Sequence, residues 1–316
     1  MSFTAQVKDE LSRLIPEHTG AQKAELAALI QMQGRVSGHY RLELSTETAA
    51  IARKMVWLLH NVYKLKTEVS AHPSSLHKSY SYLITIPAQD ELVKALKDMR
   101  LFARGSLEYT VDPRLFNHPQ SLPAYLRGAF LGGGFLSSPQ ADFHFEISCT
   151  HEGLANGIVA LLASVGIPAN SILRRNAWVV YLKGTEPITD FLTFTGAHAA
   201  RLDIESVLVT KSLRNDVNRR LNAEMANQAK AIDASMEQIK AIRLLADKKG
   251  LDSLPAALRE LASLRLEHPD ASLRELGELA TPPLSKSAVN HRVRRIAAIV
   301  QKLLGTDIQE ESEACP

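Results

Sequence analysis

The sequence predicts an α+β protein in which a duplicated α-β-β-α-β-β-α domain is followed by an all-α helix-turn-helix domain. The order of helix and strand patterns repeats about 100 residues apart in the first two thirds of the chain. From Lys211 the composition becomes polar and helix-forming, and near the C-terminus a short turn separates two helical patterns. With 316 residues, 45% hydrophobic and 22% charged, the chain is long enough for two or three domains.

An apolar helical segment opens each repeat. Residues 26–34 read LAALIQMQG and residues 126–134 read LRGAFLGGG, and each segment ends in glycine before an alternating stretch. Because small residues let helix backbones approach closely, we predict that the two helices pack against each other along a pseudo-two-fold axis. Two unrelated core helices are the alternative, but they would not explain the matched order of the elements that follow.

The same elements then follow in both repeats. Alternating apolar residues predict the first strands, at Tyr40, Leu42 and Leu44 and at Phe143, Phe145 and Ile147. Helical spacing and further alternation predict the remaining elements: helices at about 47–63 and 151–165, strand pairs at 66–72 with 79–86 and at 170–174 with 177–183, and helices near 89–99 and 186–194. The repeats are predicted to cover about 20–100 and 120–195 of a domain at 1–200.

The two glycine-ended helices resemble the motif of LAGLIDADG homing endonucleases. The matching residues are Leu26, Ala27, Leu29, Ile30 and Gly34 in the first copy, and Leu126, Gly128 and Gly134 in the second. The resemblance implies two four-stranded sheets that form a saddle. The glycine run 132–134 is predicted to serve helix packing and a helix C-cap.

The acidic positions of that motif carry no acid in this chain. They fall on Gln31 and Gln33 in the first copy and on Leu131 and Gly133 in the second. In the endonucleases the last acid of each motif binds the divalent metals, and such cations require oxygen ligands, preferably carboxylates. We therefore predict a retained scaffold with no metal site, no catalytic residue and no nuclease activity.

The segment from Lys211, KSLRNDVNRRLNAEMANQ, predicts a helical linker over 201–250. Its cations are candidates for contacts with DNA or between domains: Lys211, Arg214, Arg219 and Arg220. The many asparagines lower helix propensity, which favours hydrogen bonding to a partner, although a solvated polar helix face explains them equally well.

Residues 251–304 are predicted to form the helix-turn-helix domain. Pro269 ends a helix at 255–268, and Ser272 with Glu275 forms a capping box for the next helix. Val289, Val293, Ile296, Val300 and Leu303 fall on one face of the last helix. The remaining polar and basic positions predict a helix that enters the major groove: Ser285, Lys286, Ser287, Asn290, His291, Arg292, Arg294, Arg295 and Lys302. A solvated basic helix is the alternative.

The strings SLRELGELATPPLSKSAVNHRVRRI and KSLRNDVNRRLNAEMAN resemble the WhiA family of sporulation and cell-division transcription regulators. The resemblance spans nearly the full chain apart from the acidic end at 305–316, which we predict to be disordered. It implies binding to double-stranded promoter DNA in the nucleoid and cooperation with a WhiB-like iron-sulphur regulator and RNA polymerase. No cofactor is expected, and the lack of a long apolar run and of a secretory signal predicts a cytoplasmic protein.

Two other functions remain open on the sequence alone. A divergent endonuclease would use acids on the sheets, such as Glu43, Asp142 or Glu146, and a chromosome-organising protein would bind DNA without regulating genes. A membrane protein is not expected, because no apolar run approaches the roughly 18 residues that span a bilayer. Cys149 and Cys315 are too few for a thiolate zinc site.

Overall fold

The protein consists of two compact units, Met1–Lys211 and Ser212–Pro316. The structure is a computed structural model that describes residues 2–37, 41–73, 80–103 and 105–313, with side chains described up to residue 304. Three residues that the sequence predictions used, Tyr40, Ser79 and Cys315, lie outside the described residues. Among the described residues, no helix combines the length and the hydropathy that a bilayer span requires.

The first unit contains two copies of the predicted α-β-β-α-β-β-α order. The first copy follows the helix α1 (Phe3–Arg13) and consists of α2 (Thr19–Gln33), β1 (Gly34–Ser37), β2 (Arg41–Thr46), α3 (Ala49–Tyr63), β3 (Glu68–Pro73), β4 (Tyr80–Ile86) and α4 (Asp90–Asp98). A small hairpin of β5 (Phe102–Ala103) and β6 (Ser106–Leu107) leads to the second copy. That copy consists of α5 (Ser121–Gly133), β7 (Gly134–Leu136), β8 (Phe145–Cys149), α6 (Glu152–Ser164), β9 (Ala169–Arg174), β10 (Ala177–Leu182) and α7 (Thr185–Thr195).

Each copy forms a four-stranded antiparallel sheet. The strand orders are β1-β2-β4-β3 and β7-β8-β10-β9. When the strands of each copy are numbered from its own first strand, both orders read 1-2-4-3. Leu42 and Leu44 on β2, and Phe145 and Ile147 on β8, point into one continuous core with the helices. The alternate residues of these strands therefore face solvent. The predicted fold class is confirmed.

The helices α2 and α5 pack against each other at very short range. A Cβ atom at Gly128 would lie 2.5 Å from the carbonyl oxygen of Glu25 and 2.9 Å from the Cβ of Ala28. This explains why small residues recur in both helices. The C-cap predicted for the glycine run is confirmed at Gly134, whose backbone N–H donates to the carbonyl of Phe130, and this cap has an extended and not a left-handed conformation.

A buried ion cluster joins the two copies. The carboxylate of Glu25 on α2 accepts hydrogen bonds from Arg127 on α5, at 2.9 and 3.1 Å, and lies 2.5 Å from Nζ of Lys54 on α3. Lys54 also donates to the carbonyls of Leu11 and Leu14. Burial lowers the pKa of Lys54 to about 8, against the opposing effect of Glu25. Since removing one member leaves a buried charge uncompensated, this cluster fixes the relative position of four helices.

The helix α8 (His198–Lys249) is continuous over the predicted linker. The first unit extends past the predicted boundary at 200 to Lys211, because the start of α8 packs on it. The carboxylate of Glu10 on α1 accepts hydrogen bonds from the backbone N–H groups of Ala199 and Ala200, at 2.8 and 3.1 Å. These two bonds satisfy donors that a helix start otherwise leaves unpaired.

The second unit contains the rest of α8 together with α9 (Ala256–Glu267), α10 (Leu273–Leu279) and α11 (Lys286–Glu313). The last helix continues past the predicted end at 304 to Glu313. The sequence after Leu304 contains no proline before residue 316 and is rich in Gln and Glu, which favour helix propagation. In the segment 305–316, for which disorder was predicted, the backbone is helical as far as Glu313, and residues 314–316 lie outside the described residues.

Candidate nucleic-acid interface

Two apolar clusters hold the helices of the second unit together. Leu261 of α9, Leu276 of α10 and Val289 of α11 form the cluster nearest the turn. Ile242 and Leu245 of α8 pack with the farther parts of α9 and α11 in the other cluster. The predicted apolar face of α11 is confirmed, since Val289, Ile296 and Val300 are buried and Val293 and Leu303 pack against the same clusters.

The helix α10 is fixed at both ends, by a capping box at its start and by close backbone contact in the turn that leads to α11. Ser272 and Glu275 form the predicted capping box, in which the backbone N–H of Ser272 donates to Oε2 of Glu275 at 2.7 Å. These hydrogen bonds lower the pKa of Glu275. The N–H of Leu284 donates to the carbonyl of Gly277 at 2.8 Å, and a Cβ at Gly277 would overlap the carbonyl oxygen of Leu284. Gly277 was not singled out by sequence, because its role depends on how closely the two helices approach.

Ser285 caps α11, because its Oγ accepts a hydrogen bond from the N–H of Ala288 at 3.3 Å. The solvent face of α11 then carries most of the predicted contact residues: Lys286, Ser287, His291, Arg294, Arg295 and Lys302 are all exposed, and Asn290 is half-buried at its edge. In the described part of the chain, the guanidinium groups of Arg294 and Arg295 have no acidic partner. A basic helix face with free guanidinium groups can bind phosphates and the acceptor edge of guanine.

Arg292 does not belong to that face. Its Nη1 donates to the carbonyl of Ala257 at 3.1 Å and lies 3.6 Å from the carboxylate of Glu260 on α9. Glu260 also accepts a hydrogen bond from the N–H of Thr281 in the turn, at 2.8 Å. The side chain of Arg292 thus lies against α9, where it positions α11 relative to the turn, and its DNA contact stays a prediction.

The predicted linker cations are distributed along α8. Lys211 belongs to the first unit, where its Nζ donates to the carbonyls of Pro139 and Ala141 at 3.1 and 3.2 Å and lies 5.4 Å from the ring centre of Phe143. Arg214, Arg219 and Arg220 are exposed, and Arg219 is paired with Asp216. Lys211 is thus bound to the loop between β7 and β8, whereas the three arginines face solvent.

The degenerate motif positions at the end of α2 are occupied by hydrogen-bonded amides. The side-chain amide of Gln33 donates to the carbonyl of Gly132 on α5. That of Gln31 donates to the carbonyls of Glu108 and Thr110, both at 3.0 Å, and its oxygen accepts from the buried hydroxyl of Tyr125. A carboxylate could not donate these bonds, so the neutral amides suit a packed helix interface and not a metal site.

The end of α5 leaves no space for a side chain at position 133. Leu131 is buried, and a Cβ at Gly133 would overlap the carbonyl oxygen of Ser148 and the methyl group of Met32. No group of three or more His, Cys, Asp or Glu side chains is placed to hold a metal ion in the part of the chain that the structure describes. On the sheets, Glu43 is paired with Arg41 at 3.1 Å and Glu146 with Arg174 at 2.8 Å. Asp142 lies in the loop before β8.

Comparison with known families agrees with this architecture. Residues 19–102 match the WhiA N-terminal LAGLIDADG-like domain, residues 122–214 the WhiA LAGLIDADG-like domain, and residues 217–300 the WhiA C-terminal HTH domain. The chain belongs to the WhiA family. The resemblance that the sequence indicated is confirmed. The match to the WhiA C-terminal HTH domain ends at residue 300 and therefore includes the exposed start of α11.

Curated WhiA proteins match over nearly the full length. The probable cell division protein WhiA of Desulforamulus reducens is 43% identical over 314 residues, which covers 96% of each chain. That of Heliobacterium modesticaldum is 40% identical over 307 residues, which covers 95% of this chain and 96% of the relative. The crystal structure of full-length DUF199/WhiA from Thermatoga maritima shares the WhiA fold with a TM-score of 0.61 at 24% identity, and it covers 96% of this chain and 99% of that chain.

Proposed function

We propose that this protein is a sequence-specific DNA-binding regulator of transcription that acts on cell-division and sporulation genes at promoters in the nucleoid. The observation that carries the proposal is the exposed start of α11. There Ser287, His291, Arg294 and Arg295 follow a capped turn on a helix whose opposite face is buried. In helix-turn-helix proteins the residues at this position contact base edges in the major groove.

The role in cell division rests on the curated relatives. They are named probable cell division protein WhiA, and they match this chain over nearly their full length. The sporulation role, the WhiB-like partner and RNA polymerase rest on the family resemblance alone. We infer that the first unit has no nuclease activity, because Gln33 and Gly133 stand where the metal-binding acids of the endonuclease motif would be, and both are committed to helix packing. A metal-dependent cut would use acids on the sheets, such as Glu43, Asp142 or Glu146, and of these Glu43 and Glu146 are each paired with an arginine.

Genome-wide occupancy mapping of the tagged full-length protein tests the regulatory role. We expect a limited set of promoter peaks, and we expect Arg294→Ala to lower them strongly while the protein level is unchanged. Uniform occupancy of the chromosome that persists in Arg294→Ala would contradict a promoter regulator and favour chromosome organisation.

A cleavage assay tests the inference that the first unit has no nuclease activity. The purified protein is incubated with a promoter duplex recovered from the occupancy map, in the presence of magnesium or manganese. We expect the duplex to stay intact. Specific nicking that disappears in Glu43→Gln or Glu146→Gln would show that the protein is an endonuclease.

A further inference from the structure

A groove of about 340 Å³ lies between α1 and α3 in the first unit, and no strand residue lines it. Two large apolar side chains on its walls are exposed to solvent. Ile15, just after α1, is 50% exposed, and Trp57 on α3 is 36% exposed. Pockets that bind small molecules have volumes from about 300 Å³ upward, so the groove is large enough for such a ligand.

The walls of the groove carry positive charge. Arg53 lies one helical turn before Trp57 on α3, is exposed, and has no acidic partner among the described residues. Arg13, at the end of α1, also lines the groove, and its charge is balanced by Asp9 at 2.7 Å. An anion in the groove would therefore be bound first by Arg53. Arg13 can add further hydrogen bonds, since a guanidinium group has five donors.

The floor of the groove adds to this charge. Lys54 lines the groove, and its ammonium group belongs to the buried ion cluster with Glu25 and Arg127. Two cations and one carboxylate give this cluster a net charge of +1 when Lys54 is protonated. Salt screens a buried charge much less than a surface charge. The groove thus attracts an anion from its floor as well as from its walls.

The second copy shows that folding does not require these groove residues. The helix α6 is the counterpart of α3, and their fully buried residues match at a constant spacing: Ile51 with Leu154, Met55 with Ile158, and Leu59 with Leu162. The same spacing equates the groove residues of α3 with small or neutral ones: Arg53 with Asn156, Lys54 with Gly157, and Trp57 with Ala160. The core is therefore kept in both copies, whereas the two cations and the aromatic ring are specific to the first.

The space beside the two helices differs accordingly. In the second copy, a Cβ at Gly157 would lie 2.4 Å from Cγ2 of Val111, so the segment before α5 packs directly on α6. In the first copy α1 lies beside α3, and the carbonyls of Leu11 and Leu14 at its end accept hydrogen bonds from Lys54. The long side chains of α3 surround the groove next to α1. This indicates that the groove is a feature of the first copy and not a by-product of the duplicated fold.

The chemistry of the groove fits a nucleotide. Every base has a π-face that stacks on an aromatic side chain, and a guanidinium group binds phosphate oxygens through two parallel hydrogen bonds. Trp57 and Ile15 offer apolar contacts to a base, and Arg53 and Arg13 offer donors to phosphates. An anion without an aromatic part would leave Trp57 exposed, and a nucleoside without a phosphate would leave Arg53 unpaired.

We propose that the groove between α1 and α3 binds a free nucleotide, whose base contacts Trp57 and whose phosphates contact Arg53 and Arg13. The site is separate from α11 and from both sheets. It gives the first unit a ligand-binding role that does not depend on DNA binding by the second unit. A ligand that joins α1 to α3 in the folded state also stabilises the first unit.

Isothermal titration calorimetry of the full-length protein with ATP, GTP, CTP and UTP tests the proposal. We expect at least one of them to bind saturably at one site per chain. The corresponding nucleoside and tripolyphosphate should each bind about tenfold or more weakly, because each lacks one set of contacts. Trp57 and Trp178 are the two tryptophans of the chain. In Trp178→Phe the tryptophan fluorescence therefore comes from Trp57, and stacking of the base should quench it.

Arg53→Gln and Trp57→Ala should each lower the affinity about tenfold or more, and Trp57→Phe, which keeps an aromatic ring, should retain most of it. The matched control in the second copy, Arg175→Gln with Trp178→Phe, should bind like the wild type. Circular dichroism establishes that each variant is folded. If Trp57→Ala is not, Arg53→Gln decides, since Arg53 is exposed and its removal leaves the core unchanged.

The proposal is overturned if none of the four nucleotides binds, or if binding is unchanged in Arg53→Gln. It is also overturned if the nucleoside or tripolyphosphate alone binds as tightly as the nucleotide, since the groove would then recognise only one part of it. Tighter binding of a single-stranded 12-base oligonucleotide, lost in the same variants, would assign the groove to nucleic acid and contradict a site for a free nucleotide.

Discussion

Arginines occur both on the sheets of the first unit and on α11, and their surroundings differ. On the sheets, Arg41 lies 3.1 Å from Glu43, and Arg174 lies 2.8 Å from Glu146. On α11, Arg294 and Arg295 are exposed, and in the described chain neither has an acidic partner. A paired arginine offers little net charge to a phosphate. The comparison teaches that exposed arginines without an acidic partner lie side by side on the last helix, whereas among the described strand arginines only Arg35 is exposed in this way.

The largest effect should come from removing that charge. The triple variant Lys286→Ala, Arg294→Ala and Arg295→Ala should lose about 100-fold or more in affinity for a promoter duplex at moderate salt. Its salt dependence should weaken by about one unit of slope per lost phosphate contact. The matched control, Arg41→Ala with Arg174→Ala, should change the affinity by less than about threefold, because these cations are already neutralised. Anisotropy titrations at several salt concentrations measure both, and an equal loss in the two variants would refute the comparison.

Substitutions in the helix interface of the first unit should change the stability of the protein rather than its affinity for DNA. In Gly128→Ala the new Cβ would meet the carbonyl of Glu25 at 2.5 Å, so we expect a loss of about 2 kcal/mol in the free energy of unfolding. Gly153→Ala is the matched control, since its Cβ would be 3.2 Å from the Thr110 methyl group, and it should change stability by less than about 1 kcal/mol. Urea denaturation followed by circular dichroism measures both. An unaffected Gly128→Ala would show that α2 and α5 do not need this close contact.

Substitutions on α11 should distinguish residues that contact bases from residues that contact phosphates. Arg294→Ala should cost about tenfold in affinity for a specific duplex and relax the preference at one or two base pairs. Lys302→Ala should weaken specific and random duplexes equally, because a phosphate contact carries no base information. Competition titrations with single-base-pair variants of the duplex measure the preference. If Arg294→Ala weakened random and specific DNA to the same extent, Arg294 would not be a base-reading residue.

The smallest effect is expected at Arg292. Its guanidinium joins α9 to α11 through Ala257 and Glu260, so Arg292→Ala should destabilise the second unit by about 1 kcal/mol. Affinity for random and specific duplexes should fall together, by less than in Arg294→Ala. Thermal unfolding combined with the same titrations separates the two effects, and a loss confined to the specific duplex with unchanged stability would place Arg292 among the DNA-contacting residues.

Periodicity alone predicted the duplicated fold and the buried face of α11. Val289, Ile296 and Val300 repeat at helical spacing, and a buried stripe on one helix does not depend on which helix covers it. The orientation of Arg292 was not predictable in the same way. It lies beside the stripe, and only the position of α9 decides whether such a side chain reaches solvent or a carbonyl such as that of Ala257.

The groove on the second sheet, which Ile172 and Tyr181 line, was missed for a related reason. Alternation along one strand shows which residues are buried, but it does not show which residues of different strands lie side by side. That Ile172 and Tyr181 line the same groove can be seen only once the register of β9 and β10 is known. The glycines of α5 were recognised from sequence, yet their close contacts with α2 required the structure.

Site-specific photo-crosslinking tests the central claim, that DNA is read by α11 and not by the sheets. A photoreactive phenylalanine analogue is placed at His291 on the exposed face of α11 or at Ser45 on the exposed face of β2, in the full-length protein bound to a promoter duplex. Our account predicts crosslinks to major-groove bases from position 291 and none from position 45. Crosslinks from position 45 without any from position 291 would contradict it.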